Sequence, residues 1–286
     1  MKIKTTGISG YLGQLISSEL TQNNHQVSGI ERKLLYGTVN NLKNEIAGTD
    51  IIINLAGSPI LERWTEKNKQ TIYDSRIKTT QNLVQAINEL PAKTQPKKFI
   101  SASAVGIYKS GLAHDESSIN FESNFAGKVV RDWENASSHL SASVQKVIFR
   151  IGLVLGKEAQ TIKNLWLPFK LGLGATIGNG NQPFPFVHEK DVARAFCWAA
   201  EEYAENDIFN LTAPEKITNK TFTKELARQM HRPALLFIPG FILKILYGNA
   251  AVLLTTSPEV SAQKITHAGF KFRYPDISAT LKEITK

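Results

Sequence analysis

The chain has 286 residues, 42% hydrophobic and 21% charged, so it can bury a substantial core, which excludes intrinsic disorder. Its formal charge is +9, but the lysines and arginines are spread along the chain, which argues against a nucleic-acid track. The single cysteine excludes an internal disulfide and a cysteine metal site. The segment MKIKTTGISG lacks the apolar core of a secretion signal, which predicts a cytoplasmic protein.

The first half alternates short strand patterns with longer helical patterns, which predicts an α/β fold with a doubly wound, Rossmann-type parallel sheet. The strand candidates are IKTT, HQVSGI, DIIINLAG, KKFISASAVG and QKVIFRIGLVLG. The helix candidates are YLGQLISSELTQN, TIYDSRIKTTQNLVQAINEL and GKVVRDWENASSHL.

The pattern changes after Gly156, where LPFKLGLGATIGNGNQPFPFVH predicts a loop with short strands. The helix EKDVARAFCWAAEEYA, with Cys197 as a buried small side chain, precedes the strand DIFNLT and the helix TNKTFTKELARQM, capped by Thr218 or Asn219. We expect residues 1–230 to form a nucleotide-binding domain with substrate loops at about 157–187. Residues 231–286 then form a smaller, mostly helical C-terminal lobe.

The most apolar stretch is LLFIPGFILKILYGNAAVLL, near the carboxyl end. Because prolines, glycines and a lysine interrupt it, it predicts no membrane span but a buried or groove-lining helix after a loop. Neither a membrane nor a nucleic acid is therefore expected as a partner.

Three evenly spaced glycines follow the first strand, at Gly7, Gly10 and Gly13. Gly7 can adopt turn angles closed to other residues, Gly10 leaves room for a diphosphate, and Gly13 lets the helix approach the sheet. The helix start then offers N–H groups and a positive dipole end to phosphates. The order strand, glycines, helix predicts a dinucleotide site.

The spacing T-G-x-x-G-x-x-G resembles the extended and atypical short-chain dehydrogenase/reductase superfamily. The segments NLAG, ISASAVGIY and PFVHEKDVARA resemble its later motifs. With RDWE and AGFKFRYPDISATL, the chain resembles the NAD-dependent epimerase/dehydratase family from Met1 to about Leu281, in the branch with a short helical C-terminal module (DUF1731-like).

The glycine turn, the strand ends and the resemblance together define the predicted cofactor contacts. They are Gly7, Ser9, Gly10, Tyr11, Leu12, Gly13, Glu31, Arg32, Asn54, Leu55, Ala56, Gly57, Ser101, Lys128 and Leu153.

The choice of cofactor depends on the segment IERK, at the end of the second strand. Glu31 stands where the superfamily's NAD-selecting acid would bind the ribose hydroxyls. Arg32 matches an arginine of the atypical family, which implies NADP, and a guanidinium pairs well with a 2′-phosphate. We expect NADP, with NAD as the alternative.

The resemblance implies a serine and a Tyr-x-x-x-Lys pair as reductase groups, and only part of this set is present. Ser103 matches the serine, although Ser101 and Ser103 could equally cap a strand end. Phe125 and Val129 stand in the places of the tyrosine and the lysine, and Lys128 is one residue short. Tyr108 is the candidate substitute proton donor, with core packing as the alternative.

Other polar residues are expected to have structural rather than catalytic roles. His188 and Asp191 are expected to brace a loop–helix junction, and Arg76 to hold a loop or an anionic ligand. Phe184 and Phe186 predict a lid over an apolar ligand.

Two functions remain open on these residues. One is an NAD(P)(H)-dependent oxidoreductase or epimerase acting on a small carbonyl or sugar-like substrate. The other is a non-catalytic dinucleotide-binding redox sensor or regulator. The only partner expected beyond the cofactor is a small-molecule substrate, and the chain is either a monomer or a homodimer.

Overall fold

A computed structural model describes residues 1–286. The strands are numbered in chain order and are β1 (Lys2–Thr6), β2 (Gln26–Ile30), β3 (Ile51–Asn54), β4 (Lys98–Ala104), β5 (Ala113–His114), β6 (Gln145–Ile151), β7 (Leu153–Leu155), β8 (Ala175–Ile177), β9 (Phe186–His188), β10 (Asp207–Leu211), β11 (Leu236–Ile238) and β12 (Glu259–Val260).

The α-helices are α1 (Tyr11–Gln22), α2 (Arg32–Leu35), α3 (Val39–Ile46), α4 (Glu66–Asp74), α5 (Ile77–Asn88), α6 (Phe125–Ala136), α7 (Gln160–Lys170), α8 (Glu189–Glu201), α9 (Asn219–Gln229), α10 (Gly240–Tyr247), α11 (Val252–Thr255), α12 (Gln263–His267) and α13 (Ile277–Ile284). Two 3₁₀ turns cover Val105–Ile107 and Gly248–Ala251.

Six parallel strands form the central sheet, in the order β2-β1-β3-β4-β6-β10. Residues of β3 alternate between two cores: Ile51 and Ile53 pack with α1 and α8, and Ile52 packs with α3 and α5. The predicted Rossmann-type sheet, covered on both faces, is confirmed. Because β2 and β3 lie on opposite sides of β1, their connections diverge there and open a cleft at the carboxyl ends of the strands.

The helix predicted over TIYDSRIKTTQNLVQAINEL is wrong in its extent, because the chain breaks between α4 and α5. Ser75 lies at the break, where its hydroxyl donates to the Ile72 carbonyl at 3.0 Å and accepts the Ser58 N–H at 2.9 Å. The break therefore ties these helices to the loop that leaves β3.

Two other predicted boundaries are also corrected. The strand QKVIFRIGLVLG divides at Gly152 into β6, in the central sheet, and β7, which pairs with β9. A Cβ at Gly152 would lie 2.8 Å from Thr212 Cγ2, so only glycine fits this crossing. The residues LPFK, predicted as loop, form the end of α7, which contains Pro168.

The prediction that Phe184 and Phe186 cover a ligand is wrong. Both side chains are buried in a second core, beneath α9 and α13. Phe184 stacks on Phe222 with the ring centroids 4.3 Å apart, and Phe186 lies in β9 beside β7. These rings hold β9 and the preceding loop against α9 and α13.

The apolar C-terminal stretch is not the buried helix that its composition predicts. It forms β11, α10, a 3₁₀ turn and α11 in succession. Leu235 is 89% exposed, and Phe237 and Ile245 are 68% and 65% exposed. No helix is long and apolar enough to span a bilayer.

Two local predictions in this half are confirmed. Cys197 is buried on α8, where it packs in the largest core. The Thr218 hydroxyl caps α9 by accepting the N–H of Thr221 at 3.3 Å.

Candidate functional site

The turn after β1 leaves no room for side chains at its glycines. Gly7 has φ +68°, a region that glycine enters without steric cost. Gly10 immediately precedes α1, and its N–H donates to the Gly7 carbonyl at 3.0 Å. A Cβ at Gly13 would overlap the Gly7 carbonyl oxygen and lie 2.8 Å from Ile8 Cα. The helix therefore rests directly on a turn of bare backbone.

Thr6, the last residue of β1, organises the exit of β3. Its hydroxyl donates to Asn54 Oδ1 at 2.9 Å and accepts the N–H groups of Leu55 and Ala56 at 2.9 and 3.0 Å. Asn54 Nδ2 donates to Thr80 at 2.9 Å and to Ser101 at 3.2 Å. The Asn54 and Ser101 side chains are thus buried braces that hold the β3 exit loop in place.

A cavity of about 340 Å³ opens between this turn and the end of β2. Six predicted cofactor contacts line it, namely Gly7, Ser9, Glu31, Arg32, Ala56 and Gly57. The remaining lining residues, which the sequence analysis did not identify, are Ile8, Gly29, Ile30, Leu35, Tyr36, Ser58, Ser75 and Thr79. The cavity brings together four segments that are distant in the chain.

The acid and the base at the end of β2 have different surroundings. Glu31 forms an ion pair with Lys33 at 2.8 Å, and both side chains are exposed. Arg32 lies over the ring of Tyr36, with Cζ 5.8 Å from the ring centroid. The carboxylate is therefore partly neutralised by its neighbour, while the guanidinium is held at the cavity wall by an aromatic face.

Spacing signals could have identified some of the missed lining residues. Arg32 and Tyr36 are four residues apart, as are Ser75 and Thr79, and in a helical sequence pattern residues at this spacing lie on one side. Gly29 lies inside β2, where a Cβ would overlap the Ile8 side chain. A glycine within a strand often marks such a close approach.

Other predicted contacts lie outside the cavity. The Tyr11 hydroxyl donates to the Glu189 carboxylate, which joins α1 to α8. Leu12 and Leu55 pack against the main core, and Leu153 packs against the second core. Their side chains have structural surroundings, although the backbone of Tyr11 and Leu12 still forms the first turn of α1.

Ser103 and Tyr108 belong to one buried polar network at the ends of β4 and β6. Ser103 donates to Glu134 Oε1 at 2.5 Å, and Arg150 donates to both carboxylate oxygens of Glu134 at 2.8 Å. Arg150 Nη1 also donates to the Tyr108 hydroxyl at 2.7 Å, and that hydroxyl donates to Asn210 Oδ1 at 2.8 Å. The network links β4, β6, α6 and β10.

Neither hydroxyl of this network lines the cavity. Tyr108 is 0% exposed and Ser103 is 4% exposed. Burial raises the pKa of Tyr108 more than the nearby Arg150 lowers it, so the phenol stays protonated at neutral pH. Its ring also stacks on His114 with the centroids 4.8 Å apart. The core-packing alternative for Tyr108 matches this geometry.

The start of α6 carries no tyrosine. Phe125 packs edge-to-face on Trp64, and Val129 is fully buried. Lys128 pairs with Asp132 at 2.5 Å, and Asp132 also accepts the hydroxyl of Tyr73 at 3.0 Å. Tyr73 comes from α4 and was missed, because nothing in the sequence links it to α6.

The residues at the start of α8 have the expected structural roles. His188 Nδ1 accepts the Lys190 N–H at 3.0 Å and so caps the helix. Burial lowers the pKa of His188 to about 4, so the ring is neutral near pH 7. The Asp191 carboxylate accepts the N–H groups of Arg273 and Tyr274 at 2.9 and 2.8 Å, which fastens the C-terminal segment.

The parallel sheet, the bare glycine turn and the cavity beside it define a dinucleotide-binding protein of the Rossmann type. The sequence profile of the NAD dependent epimerase/dehydratase family matches residues 3–212, and the chain belongs to that family. A second profile, Domain of unknown function (DUF1731), matches residues 238–284, so the predicted resemblance is confirmed in both parts.

Relatives of this chain span its whole length. Epimerase family protein YfhF of Bacillus subtilis (strain 168) is 33% identical, over 99% of this chain and 98% of that protein. Human epimerase family protein SDR39U1 is 31% identical, over 99% of both chains.

Solved structures resemble the fold to different degrees. The crystal structure of human SDR39U1 (isoform 2) with NADPH matches with a TM-score of 0.93 at 30% identity, over 100% of this chain and 99% of the other. UDP-glucuronic acid 4-epimerase from Bacillus cereus in complex with NAD has a TM-score of 0.77 at 18% identity, over 100% of this chain and 96% of that one, which is a likeness of fold alone.

Proposed function

We propose that this chain is an NADPH-dependent oxidoreductase or epimerase that acts on a small carbonyl or sugar-like substrate. The observation that carries the proposal is the cradle at Gly7, Gly10 and Gly13, where a Cβ at Gly13 would overlap the backbone of the turn and force it to shift. A diphosphate can approach such a turn closely and accept N–H groups from the start of α1. The NADPH in the human relative supports the same use of the cleft.

Arg32 is the proposed determinant of NADPH over NADH. Its guanidinium is fixed over Tyr36, at the wall of the cavity, and can pair with a 2′-phosphate. Glu31 would repel that phosphate, but its charge is paired with Lys33. The cation therefore dominates the local field where a ribose phosphate would lie.

A bound nicotinamide would supply hydride chemistry: its reduced form can give a hydride to a carbonyl carbon, and its oxidised form can take one from a sugar alcohol and return it during epimerisation. The residues of the chain would bind the cofactor, and water would supply the proton for the substrate oxygen. Tyr108 is not proposed as the donor, because its hydroxyl is buried and already has two partners.

The second candidate is a dinucleotide-binding module without turnover. The buried network favours it, because Ser103, which matches the reductase serine, and Tyr108, the candidate substitute donor, both have internal partners. In this case the cofactor would report the redox state of the cell to a partner.

Calorimetry with NADPH and NADH tests the cofactor assignment. Arg32→Ala should weaken NADPH about 10- to 100-fold, the value of a lost charge-assisted hydrogen bond, and should barely affect NADH. Lys282→Ala, an exposed cation on α13, is the control and should change neither affinity. Equal losses for both nucleotides would contradict the role of Arg32.

Turnover separates the two candidates. The NADPH-loaded protein is mixed with aldehydes and ketones and nucleotide oxidation is followed, and the NADP⁺-loaded protein is mixed with nucleotide sugars and sugar epimerisation is followed. Either activity supports the enzyme, whereas tight NADPH binding without any reaction supports the non-catalytic module.

A further inference from the structure

A second arginine, Arg76, lies against the cleft without an acidic partner. It occupies the break between α4 and α5, where it precedes the first residue of α5. A Cβ at Gly57 would lie 2.8 Å from Arg76 Cζ and 2.9 Å from Nη2. Because Gly57 lines the cavity and carries no side chain, the guanidinium packs directly against its backbone, at the edge of the cavity.

The partners of Arg76 within the chain are few. Nη1 donates to the Ile72 carbonyl at 3.3 Å, and the guanidinium lies over Trp133, with Cζ 5.4 Å from the ring centroid. Burial lowers the pKa of Arg76 to about 10, and no carboxylate acts against that effect. The group remains a cation at neutral pH in spite of its surroundings.

Arg150 shows what a buried arginine in this fold has when its role is structural. It makes two 2.8 Å bonds to Glu134 and a third bond, of 2.7 Å, to Tyr108. Arg76 has a single carbonyl in place of that set. Arg76 is only partly buried, but a desolvated cation without a counter-ion is still costly, so its place beside a cleft points to a ligand that supplies the negative charge.

The position of Arg76 identifies the part of the cleft that it serves. Trp133, on which it lies, belongs to α6, the helix that begins at Phe125. Arg32, the proposed phosphate ligand, is on the opposite side, at the end of β2. Arg76 therefore lies where the loop after β3 meets α6, whereas Arg32 lies at the end of β2, two strands away from β3 in the sheet.

We propose that Arg76 binds an anionic group of the substrate, a carboxylate or a phosphate, in the space beside Gly57. Guanidinium groups bind both kinds of anion with paired N–H donors, and the Trp133 ring keeps the group in one plane. This inference deepens the proposed function and rests on it, because it assigns an acidic substrate to the same cleft.

Anion titrations test the assignment, with inorganic phosphate and malonate as probes. Calorimetry measures their binding to the protein with and without saturating NADPH, for the wild type, Arg76→Gln and Arg76→Lys. Arg131→Gln is the matched control, because it removes an arginine of α6 that does not contact Gly57. NADPH affinity is measured separately for every variant, and circular dichroism checks the fold.

The wild type should bind at least one probe when loaded with NADPH, and Arg76→Gln should weaken that binding at least 10-fold. Arg76→Lys should recover part of the loss, and it also carries the test if Arg76→Gln does not fold. NADPH affinity should change less than twofold in both variants.

The assignment would be overturned if the NADPH-loaded wild type bound neither anion, or if Arg76→Gln bound the anions as tightly as the wild type. A 10-fold loss of NADPH affinity in Arg76→Gln would also overturn it, because Arg76 would then bind the diphosphate of the cofactor. Failure of the unmodified protein to bind NADPH would instead contradict the proposed function, and the titrations without nucleotide would still test Arg76.

Discussion

At the end of β1 a turn with three glycines borders the cleft, whereas at the ends of β4 and β6 the polar side chains pair with one another. The first region, which we name the cradle, comprises Gly7–Gly13. The second, the buried network, comprises Ser103, Tyr108, Glu134, Arg150 and Asn210. The cradle can bind a ligand because Gly7, Gly10 and Gly13 carry no side chains. The network stabilises the sheet because its side chains bind each other.

The sharpest test of this difference is removal of the carboxylate in the network. Glu134→Ala should lower the free energy of unfolding by about 3–5 kcal/mol, because Arg150 would remain buried without its counter-ion. NADPH affinity of the folded protein should be unchanged. Urea unfolding and calorimetry measure the two quantities.

The control for that variant is Glu66→Ala, which removes an exposed carboxylate paired with Lys69 at 2.8 Å. It should cost less than about 1 kcal/mol. If Glu134→Ala were as mild as this control, the network would not be the stabilising element that the geometry describes.

In the cradle the matching change is Gly13→Ala. The added Cβ would overlap the Gly7 carbonyl oxygen, so the turn must shift, at a cost of about 1–3 kcal/mol in stability. NADPH affinity should fall more than about 10-fold, since the diphosphate loses its close approach to the backbone. Thermal unfolding and nucleotide titration check both effects.

Gly106→Ala is the control for the cradle, because a Cβ added at Gly106 would meet open space, with no atom beyond its chain neighbours within 4 Å. It should leave NADPH affinity unaltered. If Gly13→Ala kept its full affinity for NADPH, the cradle would not be the ligand-binding region that distinguishes it from the buried network.

The smallest expected effect is that of Tyr108→Phe. Loss of its two hydrogen bonds should cost about 1 kcal/mol of stability, and NADPH affinity and any turnover should be retained. Tyr247→Phe, on the exposed helix α10, is the control. A loss of turnover with unchanged stability would identify Tyr108 as the proton donor and would show that part of the network takes part in the reaction.

The cradle could be predicted from the sequence because its requirements are local. Gly7, Gly10 and Gly13 each meet a backbone constraint that follows from their place between a strand and a helix. The parallel strands were equally clear, since β3 is buried on both faces and is nearly all isoleucine. In both cases the evidence lies within a dozen consecutive residues.

The network could not be predicted, because its members come from distant segments. Ser103 and Tyr108 were recognised, but Glu134, Arg150 and Asn210 acquire their roles only when β4, β6, α6 and β10 meet. The break between α4 and α5 has the same origin, since it depends on the bond between Ser75 and the loop after β3. The apolar residues keep their helical spacing through such a break, so the sequence pattern does not reveal it.

The place of Cys197 gives the chain a built-in chemical reporter. It is the only thiol, it is 5% exposed on α8, and burial raises its pKa to about 12. Thiolates, not thiols, react with alkylating reagents, so the native protein resists them and each modified molecule records one opening of the core. The same inertness leaves any cysteine introduced at the surface free to carry a single fluorophore.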